Sequence, residues 1–393
     1  QHIQSIRTGA IVIINVNTGA IVASASRPNF NPNDWIPSLS EEVWKAITET
    51  NVPGKGAKKD PLRNNVISHR NPPGSVFKTF TTLAAASIGK FDPRRTVNCP
   101  GYFDVGTTHY SLPKEVGSYA FKEAFRWSIN TFFLDMGVNR AGREAMLEMA
   151  HDWGFGQKTG INLPGEVAGM FPTPEFVRSH HQRNMGGGDI ANASIGQGDV
   201  LATPLQMANA MAALANGGTL YRPRIAEQIE DAKGNVSQKF EPEVIRQIAL
   251  PTPELQAAIK DAMQTVVTSG TAAVVGGMVP HLKVAAKTGT AQVGSKKRPR
   301  QIAWLGGYFT APDGNTYSFA VMVEGDFDQD LHGGSDAGTL AAKVFATMFP
   351  PPKGSRRTPK KRPTPTTTEV DDAATPAAPA PRPPRARPVR EVE

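Results

Sequence analysis

Hydrophobic and polar positions divide the first 350 residues into segments of two periods. Ala10-Ile11-Val12-Ile13-Ile14-Asn15-Val16 is apolar and β-branched almost without a break, and Ala20-Ile21-Val22-Ala23-Ser24-Ala25 resumes after Asn17-Thr18-Gly19. Two strands joined by a turn are predicted, because β-branched residues suit a pleated surface and Asn and Gly supply turn conformations. Pro28 to Pro61 is rich in Pro, Asn and Gly and reads as a long irregular connection with one helical piece at Glu41–Thr50. From Ser75 the period changes: Phe77, Phe80, Leu83, Ala84 and Ile88 recur at the three- and four-residue spacing of a helix face, after the breaker Pro72-Pro73-Gly74. The same period predicts helices at Phe121–Val138, Arg140–Trp153, Pro204–Asn216 and Gln256–Ser269, with stops at Gly154-Phe155-Gly156 and Gly217-Gly218. Strand character returns at Leu282–Ala286, and Ala303–Phe309 and Tyr317–Glu324 flank Pro312-Asp313-Gly314 as a hairpin before a closing helix, Leu340–Phe349. Strands first, helices in the middle and strands last predict a mixed α/β domain whose N- and C-terminal strands share one sheet.

Residues 351–393 are different material. They hold eleven of the 33 prolines, interspersed with Thr, Ala and Arg, and five of the eight net positive charges of the 393-residue chain. Such a segment buries too little apolar surface to offset its ordering entropy, so a domain over 1–350 and a disordered basic tail over 351–393 are expected. With the excess charge in the tail, the basic balance implies no nucleic-acid-binding fold. The single cysteine, Cys99, excludes a disulfide scaffold, and no apolar run approaches membrane-spanning length. The chain opens at Gln1, which is read as a processed or partial chain whose missing N-terminal segment carries an anchor.

Three separated motifs carry candidate chemistry: Ser75-Val76-Phe77-Lys78, Ser128-Ile129-Asn130 and Lys287-Thr288-Gly289-Thr290. Residues three apart share a helix face, so Ser75 and Lys78 can meet. A serine hydroxyl needs a base to become a nucleophile. A lysine serves only if burial or a neighbouring cation, here Lys287, depresses its pKa. Backbone N–H groups at the helix start favour developing negative charge. The Lys287 motif follows an apolar segment and reads as an exposed strand, where Gly289 would let a substrate backbone approach and Thr288 and Thr290 offer hydroxyls to a carboxylate. S-x-x-K, S-D-N and K-T-G occur together in penicillin-binding proteins and class A β-lactamases, and Ile129 stands here in place of the Asp.

With these motifs in this order, the chain resembles the transpeptidase domain of class B penicillin-binding proteins, most closely the elongation type, penicillin-binding protein 2. Asn71-Pro72-Pro73-Gly74-Ser75, Gly154 to Gly160, Leu163-Pro164-Gly165-Glu166, Ser194-Ile195-Gly196-Gln197-Gly198 and Ala303 to Tyr308 extend the likeness over about residues 8–350. The resemblance implies a central antiparallel sheet flanked by helices, with an all-helical subregion. It implies a D,D-transpeptidase that cross-links peptidoglycan stem peptides, with a D-Ala-D-Ala donor and an amine acceptor. Ser75 would be nucleophile, Lys78 base, Ser128 a proton relay assisted by Lys287, and Asn130, Thr288, Gly289 and Thr290 the substrate-binding residues. Neither metal nor organic cofactor is implied. β-Lactams would acylate Ser75. A membrane glycosyltransferase of the elongation machinery would be the partner, on the periplasmic face of the cytoplasmic membrane. The rival expectations are a D,D-carboxypeptidase or β-lactamase-type hydrolase, and a non-catalytic β-lactam-sensing domain.

Other groups are read more plainly. Cys99, Asp104 and His109 lack the spacing and the fourth ligand of structural zinc, so Cys99 is an ordinary buried cysteine. His180-His181 and Gly186-Gly187-Gly188 read as solvated or flexible loop without a carboxylate partner. Glu166 is read as structural. Lys296-Lys297-Arg298-Pro299-Arg300 reads as a solvated hairpin tip, with an acidic glycan or partner surface as the functional alternative.

Overall fold

The computed structural model describes residues 2, 6, 8–48, 60–295, 298–327 and 329–351, so the expected disordered tail, beyond Pro351, and Lys296-Lys297 lie outside the described residues. The chain opens with β1 (Thr8–Asn15) and β2 (Ile21–Arg27), an antiparallel hairpin. Then come α1 (Glu41–Thr48), α2 (Asn65–Ser68) and a single 3-10 turn, Gly74–Phe77, that runs directly into α3 (Lys78–Ser87). The short strands β3 (Val97–Cys99), β4 (Tyr102–Val105), β5 (Thr108–Ser111) and β6 (Gly117–Tyr119) form two small ladders, β3 with β6 and β4 with β5. The helical region comprises α4 (Phe121–Trp127), α5 (Asn130–Asp135), a π-helical stretch Met136–Ala141, α6 (Gly142–Asp152), α7 (Pro174–His181), α8 (Gly187–Ser194) and α9 (Pro204–Ala215). β7 (Thr219–Tyr221), β8 (Gln228–Glu230), β9 (Val236–Lys239) and β10 (Val244–Gln247) make two further ladders. α10 (Pro253–Ser269), α11 (Ala273–Met278), β11 (Lys283–Ser295), β12 (Arg298–Thr310), β13 (Thr316–Glu324) and α12 (Gly338–Met348) complete the fold. Among the described residues no helix is long and apolar enough to cross a membrane.

The main sheet is antiparallel with strand order β11-β12-β13-β1-β2, so the N-terminal hairpin and the C-terminal strands do share one sheet. β1 lies between β13 and β2, and every residue from Thr8 to Ile14 is buried. That explains its near-continuous apolar run: a strand covered on both faces has no polar side to alternate with. α9 packs against β1, β12 and β13 and is buried from Pro204 through Leu214. Its all-round Ala, Met and Leu surface suits a helix enclosed by protein. Thr203 starts it, accepting from Gln206 N while Gln206 Oε1 accepts from Thr203 N, a capping box with Pro204 in the first turn.

Three expectations are corrected. The single helix Phe121–Val138 is broken, because Ser128 takes a left-handed conformation (φ 62°, ψ 39°) that ends α4, and α5 starts afresh at Asn130. Hydrophobic periodicity could not show this, since Phe125, Ile129, Phe132 and Phe133 remain buried across the break. His180-His181 ends α7, and His181 does have a carboxylate partner, Asp199, at 2.8 Å. The glycine triplet opens α8, with Asp189 accepting from Gly186 N at 2.8 Å to cap it.

Glycine is required where the turn carrying Ser75 meets its neighbours. Gly196 has φ +68°, and a Cβ there would overlap the Gly74 carbonyl oxygen and press on Phe77. The Gly74 N–H donates to Gly196 O at 2.9 Å across the same contact. Gly196→Ala is expected to cost about 2–4 kcal/mol, combining left-handed strain with overpacking. Urea unfolding measures it, and an unchanged midpoint would show that the turn can retreat.

Candidate active site

Ser75 owes its place to backbone contacts. Gly74 has φ +54°, and a Cβ on it would come within 2.9 Å of Thr290 O. A Cβ on Gly289 would overlap the Pro73 carbonyl oxygen and crowd Val76. The 3-10 turn and β11 therefore lie backbone to backbone, with Gly74, next to Ser75, against Thr290. The protein's own Pro73 carbonyl approaches Gly289 closely. β11 is an edge strand of the sheet, paired only with β12, where Lys287, Thr288, Gly289 and Thr290 lie opposite Gly306, Leu305, Trp304 and Ala303.

Lys78 begins α3 and is fully buried. Its Nζ donates to Asn130 Oδ1 (2.6 Å), Ser128 O (2.8 Å) and Ser128 Oγ (3.2 Å). Lys287, also fully buried, donates from Nζ to Ser128 Oγ (2.9 Å) and Thr288 O (3.1 Å). The Ser128 hydroxyl thus sits between two amines. The left-handed backbone at Ser128 presents its carbonyl and its hydroxyl to Lys78 together. Phenyl rings close the remaining sides, Phe133 with its centroid 5.2 Å from Lys78 Nζ and Phe125 5.6 Å from Lys287 Nζ. The three motifs converge on one cluster of Lys78, Ser128, Asn130 and Lys287. Ser75 opens the helix that carries Lys78, but among the described hydrogen bonds the Lys78 amine is held by Ser128 and Asn130 rather than by Ser75.

Burial sets the charge state. Loss of solvent lowers the Lys78 pKa to about 7, although the nearby Glu115 carboxylate pulls it upward. Lys287 is held well below its ordinary range, by burial first and then by the charge of Lys78. Burial is the larger cause at both lysines, and the mutual repulsion of the two amines adds to it. An ammonium has three N–H donors and no acceptor, so the three contacts of Lys78 Nζ satisfy its charged form. Once neutral, it has a lone pair to accept a proton, and the Ser128 hydroxyl can then turn toward it while still accepting from Lys287.

Several participants lay outside the motifs. Thr271, between α10 and α11, shares a 2.6 Å hydrogen bond with Thr288 Oγ1. Gly333 N donates to Thr290 Oγ1 at 3.2 Å, and Gln197 Nε2 reaches Thr290 O at 3.5 Å. Glu115 accepts from Thr131 N and Oγ1. None has a sequence spacing that links it to its partner. The other candidates are used elsewhere. Glu166 accepts from Thr159 N (2.7 Å), Thr159 Oγ1 (2.5 Å) and Gly160 N (3.2 Å), a structural role. His109 pairs with Asp104 across the β4–β5 hairpin at 2.6 Å. Cys99 is buried, its thiol pushed up to about 11 mainly by that burial.

Residues 9–348 match the model of the penicillin binding protein transpeptidase domain. The chain belongs to that family. Peptidoglycan D,D-transpeptidase MrdA of Acinetobacter baumannii is 33% identical over 356 residues, covering 86% of this chain and 50% of that protein. The chain spans about half the length of the curated relatives it matches. Pseudomonas aeruginosa PBP2, solved in complex with WCK 5153, superposes with a TM-score of 0.76 at 28% identity, covering 92% of this chain and 75% of that one. A chain from a peptidoglycan synthase complex that coordinates polymerization and crosslinking superposes with a TM-score of 0.72 at 27% identity, covering 89% of this chain and 57% of that one. The penicillin-binding-protein fold expected from the sequence is therefore the fold observed, with the family's three motifs on the 3-10 turn and α3, on the α4–α5 junction and on β11.

The depressed lysines make stability depend on pH in this family member. Below about pH 7, Lys78 is charged in both folded and unfolded chains, and the folded state bears the full cost of burying it. Above pH 7 the folded chain releases that proton while the unfolded chain keeps it up to about pH 10.5, so stability rises with pH across this window. The expected slope is up to about 1.4 kcal/mol per pH unit for one such lysine. Denaturant midpoints at pH 7 and 9 should show the rise, and Lys78→Met should lessen it by one lysine's share, Lys287 keeping its own. An unchanged slope in that variant would mean that Lys78 does not titrate there.

Proposed function

We propose that this chain is the catalytic part of a serine D,D-transpeptidase that cross-links peptidoglycan through an acyl-enzyme on Ser75. The observation that carries this reading is the Ser128 hydroxyl held between the buried amines of Lys78 and Lys287, beside the turn that bears Ser75. Neutral Lys78 accepts the Ser75 proton as Ser75 Oγ attacks the carbonyl between two D-alanines. The bond from that carbonyl to the leaving amine breaks, and the departing D-alanine takes a proton delivered through Ser128, with Lys287 polarising that hydroxyl. The backbone N–H groups of Ser75 and Thr290, on backbones already packed together, would stabilise the oxyanion. Asn130 receives Lys78 on Oδ1, which leaves its Nδ2 to donate to a substrate carbonyl. Thr288 and Thr290 would take the terminal carboxylate. An amine from a second stem peptide then attacks the ester and releases Ser75, its proton leaving through the same relay.

β-Lactams would enter as mimics of the donor and stop at the ester. A hydrolytic role asks for a base that activates water, and Glu166, the carboxylate a hydrolase reading would recruit, is consumed by Thr159 and Gly160. The name of the MrdA relative and the synthase-complex neighbour support elongation-type cross-linking beside a membrane glycosyltransferase, on the extracytoplasmic face of the membrane.

Intact-protein mass spectrometry with a penicillin tests this reading. One persistent adduct on Ser75 is expected, absent in Ser75→Ala, and an adduct that forms and vanishes as drug is hydrolysed would mean a β-lactamase. Lys78→Ala is expected to slow acylation by several orders of magnitude, and a loss under about tenfold would assign the base elsewhere. The acylation rate should rise with pH through about 7, as Lys78 becomes neutral. A rate flat from pH 5.5 to 8.5 would remove Lys78 as the base.

A further inference from the structure

α5 is only six residues long, and the residue before it, Ile129, makes no side-chain cap. Its first N–H groups have no partner within the helix. One of them is met from outside: Glu115 Oε2 accepts from Thr131 N at 2.8 Å and from Thr131 Oγ1 at 2.9 Å. Glu115 ends a separate 3-10 turn, Pro113–Glu115, between β5 and β6. The residue before Thr131 is Asn130, whose Oδ1 holds Lys78 Nζ at 2.6 Å. A line of contacts thus runs from Glu115 through the first turn of α5 to the amine of Lys78.

The surroundings give that carboxylate weight. Among the described ion pairs none includes Lys78 or Lys287. The titratable groups around this wall are Lys78 on α3, Lys287 on β11, Cys99 on β3 and Asp135 on α5. Cys99 is a neutral thiol whose pKa is pushed up to about 11, and Asp135 is already paired with Arg140 at 2.8 Å. Glu115 is the carboxylate whose charge registers at Lys78, where it opposes the effect of burial.

We propose that Glu115 is a positioning residue of the active site: its carboxylate anchors the first turn of α5, thereby aiming Asn130 at Lys78, and supplies negative charge toward the buried Lys78. This inference rests on the proposed acylation of Ser75 for its kinetic readout, and on the folded chain alone for a second one. Glu115→Gln keeps an acceptor for Thr131 and removes the charge, whereas Glu115→Ala removes both.

Penicillin acylation rates are measured against pH for the wild-type chain and both variants, with thermal midpoints recorded alongside. In Glu115→Gln the acid limb should move to lower pH by about half a unit or more, with the plateau within about threefold of wild type. In Glu115→Ala the plateau should fall by about tenfold or more, since the helix start loses a charge-assisted anchor. A Gln variant with an unmoved limb, or an Ala variant with an unmoved plateau, overturns the proposal. If the Ala variant fails to fold, the isosteric Gln variant decides. The pH at which stability begins to rise gives the second readout and should also be lower in Glu115→Gln. A wild-type chain that forms no Ser75 adduct would sink the transpeptidase reading, and this stability window would still decide the role of Glu115.

Discussion

Two lysine amines buried against one serine hydroxyl are the arrangement on which this structure depends. Removing an ammonium from water is costly, and the usual remedy, a carboxylate at ion-pair distance, is missing for both Lys78 and Lys287 among the described contacts. What replaces it is a set of neutral oxygens: the carbonyls of Ser128 and Thr288, the amide of Asn130 and the shared hydroxyl of Ser128. Neutral acceptors stabilise a cation less than a carboxylate would. Both amines are therefore held below their ordinary range, Lys78 down to about 7, where an amine can accept a proton near neutral pH. A full ion pair would make the site more stable and the lysine useless as a base.

The rest of the fold delivers these groups from far apart in sequence. Ser75 lies in, and Lys78 follows, a turn that glycines allow to press on β11. Ser128 and Asn130 sit at a helix break, where a left-handed residue points two oxygens at Lys78 and lets α5 begin in a new direction. Lys287 comes from the edge strand of a sheet whose centre is the doubly covered β1. The sheet and α9 form one hydrophobic core with α3, so the positions of the three motifs are coupled through packing rather than through direct bonds.

Much of this was legible in the sequence. The β1–β2 hairpin, the β12–β13 hairpin and α9 could be read because burial on one or both faces leaves a periodic or continuous apolar mark. The clustering of Lys78, Ser128, Asn130 and Lys287 could be anticipated because three short motifs recur together in one family. What escaped did so for physical reasons. The break at Ser128 lies within an unbroken apolar pattern. The strands β3 to β6 have three or four residues each, too few to show a clear period, and nearly all exposed or half-exposed. Glu115 and Thr131 are sixteen residues apart and on different elements, so no spacing rule connects them. The contact of Gly289 with Pro73 could not be read, because a missing side chain in a sequence cannot say which neighbour needs the space.

The junction of turn and strand also constrains how such a protein can change over generations under drug pressure. At Gly74, Gly196 and Gly289 the smallest possible side chain already meets backbone, so variation there comes in one large step with no graded series. Backbone atoms, unlike side chains, cannot be exchanged by mutation. The part of the site where turn and strand meet is thus also the part that heredity can least adjust. Gradual change is left to side chains that end in solvent, such as the half-exposed Trp127 beside Ser128, whose shape can alter without moving the frame.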